Sequence, residues 1–592
     1  MSDSASESIW GPNSITFSNI NTYWGHRFIE TLRDLGVSRF VISPGSRNTP
    51  FTFACSRIPG IEVEVVVDER SAAFFALGWS KSSGLEPVAL ICTSGSALAH
   101  YLPAIIEARY GHVPLLVLST DRPDELQNCH AGQTIDQRNI FRKYTADFWQ
   151  AMDPYPDFWK YCESRLNRLL TDLNSLAPLP VHINQPFRDP LTPGIEDGLR
   201  EQLVAEKKIE PEAEEPFLSD TLKIECETSP FSAERKLLIV GPLAVSAEAI
   251  NEGSDFLAKW SESGSPILCD GLSTVRFSEI ETVAHYDLFL RNESATKQLA
   301  PGAVFVLGDI PTSKVLRKAL ETWDAPSTVL SFDTGERHAG LAGNWQNQRF
   351  DSQEELKKIT QYLTGEQCSE DYRQSWRRID QLVASEIETT DAQDSLTEWL
   401  LPRDFVEAVD TLTNVWISSS MPVRDWEAFS CAKATDLRVF VNRGANGIDG
   451  LIASSCGMVR GCTCEQNFLI IGDVAFSHDV GSLALVSKLE RPLTIIVINN
   501  GGGRIFKHLP IAQVEMDFEK FYLTPPQLDL AKLAEVYSID FVAVEDRPHL
   551  RKILSERPEK SRIFSVTTDP DQDLQTRTDF INALQHKLPN EL

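Results

Sequence analysis

Asp473 and the segment 499–503 have the residue types and spacing of a chemical site. Asp473 closes the apolar run NFLIIGD (467–473), and two asparagines end the run PLTIIVINN (492–500), just before three glycines. Between Asp473 and Asn500 there is room for a helix, in the pattern DVGSLALVSKLE, then a strand and a return to the same sheet edge. Ligands of α/β sheets bind at the carboxyl ends of strands. We therefore expect a carboxylate, a carboxamide oxygen and free backbone carbonyls to lie together.

This group of oxygens has the chemistry of a cation site. Mg²⁺ prefers hard oxygen ligands, and one or two protein groups usually hold it together with phosphate oxygens and water. Glycines 501–503 would let the backbone approach phosphates without an intervening Cβ. NNGGGRIF lacks the spacing G-x-G-x-x-G, and no stretch of the chain matches G-x-x-x-x-G-K-[ST], so the dinucleotide and P-loop patterns fail. The sequence predicts a site for a metal and a diphosphate.

Short, continuously apolar runs recur along the chain, each followed by turn residues and a helical pattern. Such runs are typical of strands that are buried on both faces of a parallel sheet. The predicted strands lie in residues 40–46, 88–97, 114–123, 236–243, 303–309, 327–333, 467–473 and 492–500. Five of the strand ends are polar or glycine-rich, at residues 43–47, 93–96, 119–122, 472–473 and 499–503. The predicted fold class is α/β, with several parallel sheets flanked by helices.

Two stretches interrupt this rhythm and suggest domain boundaries. Residues 188–230 include the charged run EKKIEPEAEEPF and are interpreted as an exposed linker. Residues 365–400 are interpreted as a helix followed by a polar connection. The predicted domains are residues 1–190, residues 191–395 with an acidic linker at their start, and residues 396–592. The outer two resemble each other in length and strand rhythm.

Composition restricts the classes of partner. The 592 residues have a formal net charge of −28, which opposes non-specific binding of nucleic acid. Anionic substrates would need Lys and Arg residues gathered locally. No apolar run approaches the roughly 20 residues of a membrane span. The N-terminus is polar and acidic rather than like a signal peptide, so we expect a loose N-terminal tail and a cytoplasmic location.

The eleven cysteines are scattered, and only Cys462 and Cys464 lie close together in the sequence. This pair has neither the spacing nor the accompanying cluster of a zinc site. Reduced structural thiols are the expectation for a cytoplasmic protein.

The stretch from GDVAF to INNGGG resembles the signature of thiamine-diphosphate-dependent enzymes, which begins Gly-Asp-Gly and ends Asn-Asn. Val474 stands in place of the second glycine of that signature. The resemblance implies a metal, Mg²⁺ or Mn²⁺, held by Asp473, Asn500 and the Gly502 carbonyl. It also implies a glutamate that shares a proton with the pyrimidine ring of the cofactor, and Glu69 of VDERSAAFFALG matches it. A desolvated carboxyl group there is expected to have a raised pKa. A solvated Asp-Glu-Arg turn is the alternative.

Further motifs resemble one family of these enzymes, the MenD family of 2-succinyl-5-enolpyruvyl-6-hydroxy-3-cyclohexene-1-carboxylate synthases. The motifs are ISPGSRNTP, VDERSAAFFALG, TSGSALAHYLPAIIEA, STDRPDEL, AGQTIDQ, NRGANGIDG and NNGGGRIF. The resemblance is strong over the first 145 residues and over 415–510, and faint in the middle domain. It implies a three-domain thiamine-diphosphate-enzyme architecture, with pyrimidine-binding and diphosphate-binding outer domains.

The family reaction adds 2-oxoglutarate, after loss of CO₂, to isochorismate in 1,4 fashion, in the biosynthesis of menaquinone or phylloquinone. The cofactor acts as the electron sink. Both substrates are dicarboxylates, for which arginines with bidentate geometry are suited. The resemblance implies substrate contacts from Ser46, Arg47, Arg122, Gln133, Lys314, Arg424, Arg443 and Phe506. For any single arginine, composition favours a surface or ion-paired residue, whereas the position of several at strand ends favours the substrate role for the set.

The resemblance assigns catalytic roles to Glu69, Gln133 and Arg443, and cofactor contacts to Ser420, Ile448 and Ile505. Ile448 matches the apolar residue that supports the bent cofactor, although a core role is nearly as compatible with its type. Two departures affect the acceptor end of the pocket. Gly132 replaces a frequent Asn, and Val315 replaces the second cation of a Lys-Arg pair that Arg317 could supply.

The family assembles as homodimers or dimers of dimers, so Glu69 and Asp473 are expected to meet across subunits. The alternative enzyme is another thiamine-diphosphate-dependent 2-oxoacid decarboxylase or ligase, such as an acetohydroxyacid synthase, which would not require the arginines. A cofactor-free scaffold is the non-enzymatic alternative. Such a scaffold has no need for Glu69, Asp473 and Asn500 together.

Overall fold

The computed structural model describes residues 19–193 (except 174, 176 and 177), 233–242, 256–308, 311–331, 345–349, 367–390 and 395–588. Most of the expected linker at 188–230 and the expected N-terminal tail lie outside the described residues. The described strands form three sheets, and every strand pair in them is parallel. This arrangement confirms the predicted α/β class.

The first sheet lies in the N-terminal third of the chain and has the strand order β2-β1-β3-β4-β6-β5. Its strands are β1 Arg39–Ile42, β2 Glu62–Val65, β3 Val88–Cys92, β4 Leu115–Asp121, β5 Phe148–Gln150 and β6 Val181–Pro186. The helices around it are Ile20–Asp34, Thr49–Cys55, Glu69–Ser82, Ser96–Ala99, Leu102–Tyr110 and Trp159–Leu173.

The second sheet has the order β11-β10-β9-β7-β8. Its strands are β7 Lys236–Val240, β8 Ile267–Cys269, β9 Ala303–Leu307, β10 Ser327–Ser331 and β11 Trp345–Arg349. The helices described over their whole length in this part of the chain are Tyr286–Phe289, Glu293–Gln298, Lys314–Trp323 and Glu370–Thr390, and residues 256–262 are also helical. The helix Glu370–Thr390 confirms the helix expected within 365–400.

The third sheet has the order β13-β12-β14-β15-β17-β16 and repeats the connectivity of the first. Its strands are β12 Thr413–Ile417, β13 Leu437–Val441, β14 Gln466–Gly472, β15 Thr494–Asn499, β16 Asp540–Ala543 and β17 Arg562–Thr567. Its helices are Leu401–Ala408, Met421–Phe429, Leu451–Gly461, Asp473–His478, Leu483–Val486, Leu530–Val536, Arg547–Ser555 and Pro570–Lys587. The three sheets fall one in each predicted domain, while the domain boundaries stay predictions.

All eight apolar runs are strands in the structure, whereas the helix expected at 479–490 is wrong in its extent. The chain turns into a helix at Asp473 itself, passes through a 3-10 turn at Val480–Ser482 and then forms only the short helix Leu483–Val486. Edge strands such as β2 and β13 were not predicted. They are partly exposed and therefore lack a continuous apolar run.

Two helices join the first and third sheets into one core. Glu69–Ser82 and Leu451–Gly461 run in the same direction, because Phe74 meets Gly450 at their starts and Ser82 meets Gly461 at their ends. Glycines allow the close approach. A Cβ added to Gly78 would lie 1.9 Å from the carbonyl oxygen of Ser454.

The described part of the chain contains no helix that is long and apolar enough to cross a membrane.

Candidate active site

Asp473 is the first residue of a helix that begins directly after β14. Its Oδ2 accepts a hydrogen bond from the Gly502 amide at 2.8 Å, and its Oδ1 accepts one from the Val474 amide at 2.7 Å. Burial raises the pKa of this carboxyl group, and the backbone N–H groups oppose the rise. The carboxylate is therefore fixed in orientation at the sheet edge.

Asn500 follows the neighbouring strand β15, and its amide group is also fixed. Its Nδ2 donates to Glu398 Oε2 at 2.9 Å, and Glu398 Oε1 accepts a bond from the Thr568 hydroxyl at 2.9 Å. The Asn500 Oδ1 is buried and has no hydrogen-bond partner among the described residues. A buried acceptor without a partner is costly unless something else binds it. Glu398 thus leaves this oxygen available to a cation.

The residues at this edge fit the metal and diphosphate that the sequence predicted. They provide one carboxylate and one amide oxygen, and the Gly502 carbonyl oxygen accepts a hydrogen bond from the Arg504 amide at 2.8 Å. A carbonyl oxygen has a second lone pair for a ligand. Within the described ranges no group of three or more His, Cys, Asp or Glu residues could hold a metal by itself. A cation here would depend on phosphate oxygens for the rest of its coordination.

Besides the expected approach of phosphates, the backbone conformation and the packing of this loop also require glycines after Asn500. Gly501 and Gly502 have positive φ angles of 73° and 114°. A Cβ on Gly502 would lie 2.1 Å from the Leu523 carbonyl oxygen, and one on Gly503 would lie 2.6 Å from that of Tyr522. The bare backbone therefore packs directly against the segment that covers this loop.

Val474 replaces a glycine of the thiamine signature without strain in this chain. It lies inside the helix Asp473–His478, and it is not among the described residues with positive φ. Since its amide is the group that bonds Asp473, the substitution keeps the backbone interaction that the site needs.

Glu69 is the first residue of the helix after β2, and Asp68 caps this helix by accepting the Arg70 amide at 2.9 Å. The Glu69 side chain is half-buried. The start of the same helix contacts the third sheet's domain, because the hydroxyls of Ser71 and Ser482 lie 2.8 Å apart.

One group of predicted cations lies at the strand ends of the first sheet. Arg47 is buried, and its Nη1 donates to the Phe187 carbonyl at 2.7 Å and lies 3.6 Å from Asp189. Burial lowers the pKa of Arg47, Asp189 opposes that effect, and nearby Arg122 adds to it. The Arg122 Nε donates to the Gly132 carbonyl at 2.7 Å. The two arginines are therefore electrostatic neighbours.

Ser46 and Gln133 are exposed beside this group, on loops whose positions depend on residues that the sequence did not reveal. Gln133 has a positive φ of 56° and packs its backbone over Gly95. Gln137 holds this loop, accepting the Gly95 amide at 2.7 Å and donating to Asn184 Oδ1 at 2.8 Å. Nothing in the local sequence distinguishes Gln137 from an ordinary polar loop residue.

A second group of cations lies at the strand ends of the third sheet. Burial lowers the pKa of Arg443, and Asp270 opposes this. Arg424 and Arg317 lower it further by their own charge, so these three arginines are neighbours. Arg424 also donates to the carbonyl oxygen of Ser420, which has a positive φ of 79°.

The middle domain contributes Arg317 to this second group. Lys314 begins the helix Lys314–Trp323 and is exposed, whereas Arg317 is half-buried and donates to the Pro311 carbonyl at 3.1 Å. A cation three positions after Lys314 therefore interacts electrostatically with Arg443.

The three apolar residues predicted for the site lie in two different places. Ile448 is half-buried against the core that joins the first and third sheets. Ile505 and Phe506 lie in the 3-10 helix Arg504–His508, and the Phe506 ring meets the Tyr522 ring edge-on at 5.1 Å. Ile505 and Phe506 therefore belong to the segment that directly follows glycines 501–503.

Comparison with known proteins gives two family matches, one in each half of the chain. Residues 24–140 match the family described as thiamine pyrophosphate enzyme, N-terminal TPP binding domain. Residues 431–566 match the family described as thiamine pyrophosphate enzyme, C-terminal TPP binding domain. Together with the repeated sheet topology and the site at β14 and β15, these matches define a thiamine-diphosphate enzyme.

Curated relatives narrow the family. A 2-succinyl-5-enolpyruvyl-6-hydroxy-3-cyclohexene-1-carboxylate synthase from Trichodesmium erythraeum is 35% identical over 594 residues, covering 96% of this chain and 99% of the relative. Synthases of the same name from a Nostoc species and from Microcystis aeruginosa are each 36% identical, and they cover 95% and 94% of this chain and 98% of their own length. The chain belongs to this synthase family.

Proposed function

We propose that this protein decarboxylates 2-oxoglutarate and adds the resulting carbanion in 1,4 fashion to isochorismate, releasing CO₂, as a step toward menaquinone or phylloquinone. The observation that carries the proposal is the buried Asn500 Oδ1, which has no partner among the described residues and precedes the loop whose Gly502 amide binds Asp473, in a chain that matches the synthases over nearly its whole length. An acetohydroxyacid synthase would share the asparagine and the aspartate but not that relationship.

Asp473, Asn500 and the Gly502 carbonyl would hold Mg²⁺ or Mn²⁺ together with the cofactor's diphosphate. When bound, thiamine diphosphate supplies a nucleophilic carbon and an electron sink for the carbanion. Glu69 would hold and return a proton at the pyrimidine ring. Ser420, Ile448 and Ile505 would contact the cofactor and orient it.

The two groups of cations would bind the substrate carboxylates. Arg47 and Arg122, with Ser46 and Gln133, would form one end of the pocket. Arg424 and Arg443 would form the other end, helped by Lys314, Arg317 and Phe506. In a protein with a net charge of −28, these groups supply the local positive charge that dicarboxylate substrates need.

We further propose that the site is completed between two subunits of a homodimer or a dimer of dimers. Large apolar side chains are exposed near both halves of the site. Val65 and Val67 precede Glu69 with 56% and 73% exposure, and Val514 and Phe521 follow the glycines with 53% and 61%. A subunit interface would remove these side chains from water. A cytoplasmic location belongs to the same proposal, supported by the free thiols of the described cysteines.

The test of the reaction uses purified protein with thiamine diphosphate and Mg²⁺. We expect CO₂ release from 2-oxoglutarate and a new product only when isochorismate is also present. Pyruvate serves as the competing donor. Turnover of pyruvate without turnover of 2-oxoglutarate would contradict the proposal and favour the acetohydroxyacid synthase alternative.

The test of the shared site uses two inactive variants, Glu69→Gln and Asp473→Asn, produced together with different tags. If the two residues act across subunits, each mixed dimer contains one intact site, and a random mixture should regain about a quarter of wild-type activity. If both residues act within one chain, mixing restores nothing. Each variant produced alone is the control.

A further inference from the structure

The Cys462-Thr463-Cys464 segment connects the helix Leu451–Gly461 to β14, at the sheet end opposite to Asp473. Cys462 has extended backbone angles, with φ −142° and ψ 155°. Side chains two positions apart in extended backbone lie on the same face. The two sulfurs are accordingly only 3.6 Å apart.

Asn414, at the start of β12, contacts both sulfurs with opposite ends of its amide. Its Nδ2 donates to Cys462 Sγ at 2.8 Å, and its Oδ1 accepts from Cys464 Sγ at 3.1 Å. The same Nδ2 donates to Asn467 Oδ1 at 2.9 Å, which fixes the orientation of the amide. Asn414 therefore donates to Cys462, whose Sγ also lies 3.9 Å from the Met458 carbonyl oxygen, and accepts from Cys464. With respect to Asn414, Cys462 is placed as an acceptor, as suits a thiolate, and Cys464 as a donor, as suits a thiol.

Positive charge supports this assignment. The Arg491 guanidinium donates to the carbonyl oxygens of Cys462 and Val459. The bond from the Cys464 thiol lowers the pKa of Cys462, burial opposes it, and Asn414 and the charges of Arg438 and Arg491 lower it further. Low thiol pKa values beside cations are typical of reactive cysteines.

The other described thiols provide the contrast. Burial raises the pKa of Cys55, Cys92, Cys269 and Cys456. Cys129 is exposed. Cys462 is half-buried next to the exposed Thr463, so it combines access to solvent with a neighbouring thiol.

We infer that Cys462 and Cys464 form a redox modification site that is oxidised by hydroperoxides to an intramolecular disulfide. Cys462 Sγ attacks the terminal peroxide oxygen, the O–O bond breaks, and the leaving alkoxide or hydroxide takes the proton released from the Cys462 thiol. Cys464 Sγ then attacks the sulfenic sulfur, the S–O bond breaks, and water leaves with the Cys464 proton. Two thiols and one hydroperoxide thus give one disulfide, one alcohol or water, and one water, with two electrons passing from sulfur to the peroxide.

The test treats the full-length protein, loaded with thiamine diphosphate and Mg²⁺, with hydrogen peroxide at one equivalent. Free thiols are counted, the intact mass is measured, and peptides are mapped after alkylation. We expect the loss of two thiols and two hydrogen atoms, both located to the peptide containing Cys462 and Cys464, with full reversal by dithiothreitol. The rate should exceed that of Cys129 by at least about tenfold.

Two variants separate the roles of the sulfurs. In Cys464→Ser the reaction should stop at a sulfenic acid on Cys462, which dimedone traps. In Cys462→Ser the fast loss of thiols should disappear. Oxidation of wild-type Cys462 no faster than that of Cys129, or a disulfide between other cysteines, would overturn the inference. The wild-type result decides this even if a variant fails to fold.

Discussion

The first and third sheets have the same strand order and connectivity, yet their strand ends present different chemistry. At the third sheet, the ends of β14 and β15 provide Asp473, the free Asn500 Oδ1 and bare glycine backbone. At the first sheet, the equivalent ends of β3 and β4 provide a Ser-Gly-Ser turn and an Asp-Arg pair. One topology therefore presents two different sets of chemical groups, because these groups depend on the residues at strand ends rather than on the fold.

The helices that follow the equivalent edge strands β2 and β13 also differ in the groups at their starts. Glu69 begins one helix and places a carboxylate at its N-terminus. Gly450, with a positive φ of 63°, precedes the other and packs against Phe74 of the first helix. The first helix begins with the group proposed to transfer a proton, and the second provides the surface against which the first helix packs.

The largest expected effect separates proton transfer from cofactor binding. Glu69→Gln should lower kcat by about 10²- to 10⁴-fold, because it removes the group proposed to move the proton. Binding of Mn²⁺ and thiamine diphosphate, measured by electron paramagnetic resonance, should stay unchanged. The matched control is Glu64→Gln on β2, five residues before Glu69. This change removes a carboxylate that forms an ion pair with Arg460. Unchanged turnover of Glu69→Gln would contradict the division between the sheets.

Asp473→Asn should produce the complementary result at the third sheet. Loss of the charged ligand should weaken Mn²⁺ binding in the presence of thiamine diphosphate by at least about 100-fold. Titration of Mn²⁺ followed by electron paramagnetic resonance measures this without turnover. Normal metal affinity in this variant would exclude Asp473 as a ligand.

Glu398→Ala should weaken metal binding by about 10- to 100-fold, because Asn500 would lose the partner that orients its amide. Glu398→Gln is the matched control, since a carboxamide oxygen can still accept from Asn500 and its NH₂ can donate to the Thr568 hydroxyl. Equal metal affinities in the two variants would show that the Glu398 contact does not position the site.

Gly78→Ala and Gly457→Ala should each destabilise the joint between the two sheets by about 1–3 kcal/mol. The added methyl group would lie 1.9 Å from the Ser454 carbonyl oxygen in the first case and 2.0 Å from that of Phe75 in the second. Chemical denaturation gives the free energy of unfolding. Gly481→Ala is the control, because an added Cβ there meets no atom within 4 Å. A control loss as large as the other two would remove the steric explanation.

The smallest effect concerns a polar difference between the sheets. Burial lowers the pKa of His182 on β6 to about 3, from 6.5, whereas β17, its counterpart, has no histidine. Between about pH 6.5 and 3, His182 is protonated in the unfolded chain but neutral in the folded chain. The free energy of unfolding therefore decreases as the pH is lowered through this range. At about pH 5 the loss should be on the order of 1–2 kcal/mol. His182→Gln should flatten this dependence in denaturation curves, and an unchanged slope would contradict it.

The interior strands could be predicted because burial on both faces produces an unbroken apolar run, as in β3, β4, β14 and β15. The edge strand β2 could not, since its residues are partly exposed and alternate in polarity. Asp473 and Asn500 were visible because each directly ends or follows such a run. Glu398 was not, because it is 102 positions from Asn500 and becomes its partner only through folding.

The sequence by itself determined the α/β class, the strand ends that carry polar residues and the resemblance to thiamine-diphosphate enzymes. Those features depend on residue type and on spacing over a few positions. Only the tertiary structure decided that the Asn500 Oδ1 is left without a hydrogen-bond partner, why Gly502 must lack a side chain, and that Asn414 contacts both Cys462 and Cys464. Each of these features depends on contacts between residues far apart in the chain. Tertiary packing, rather than the pattern of neighbouring residue types, decides which residues meet.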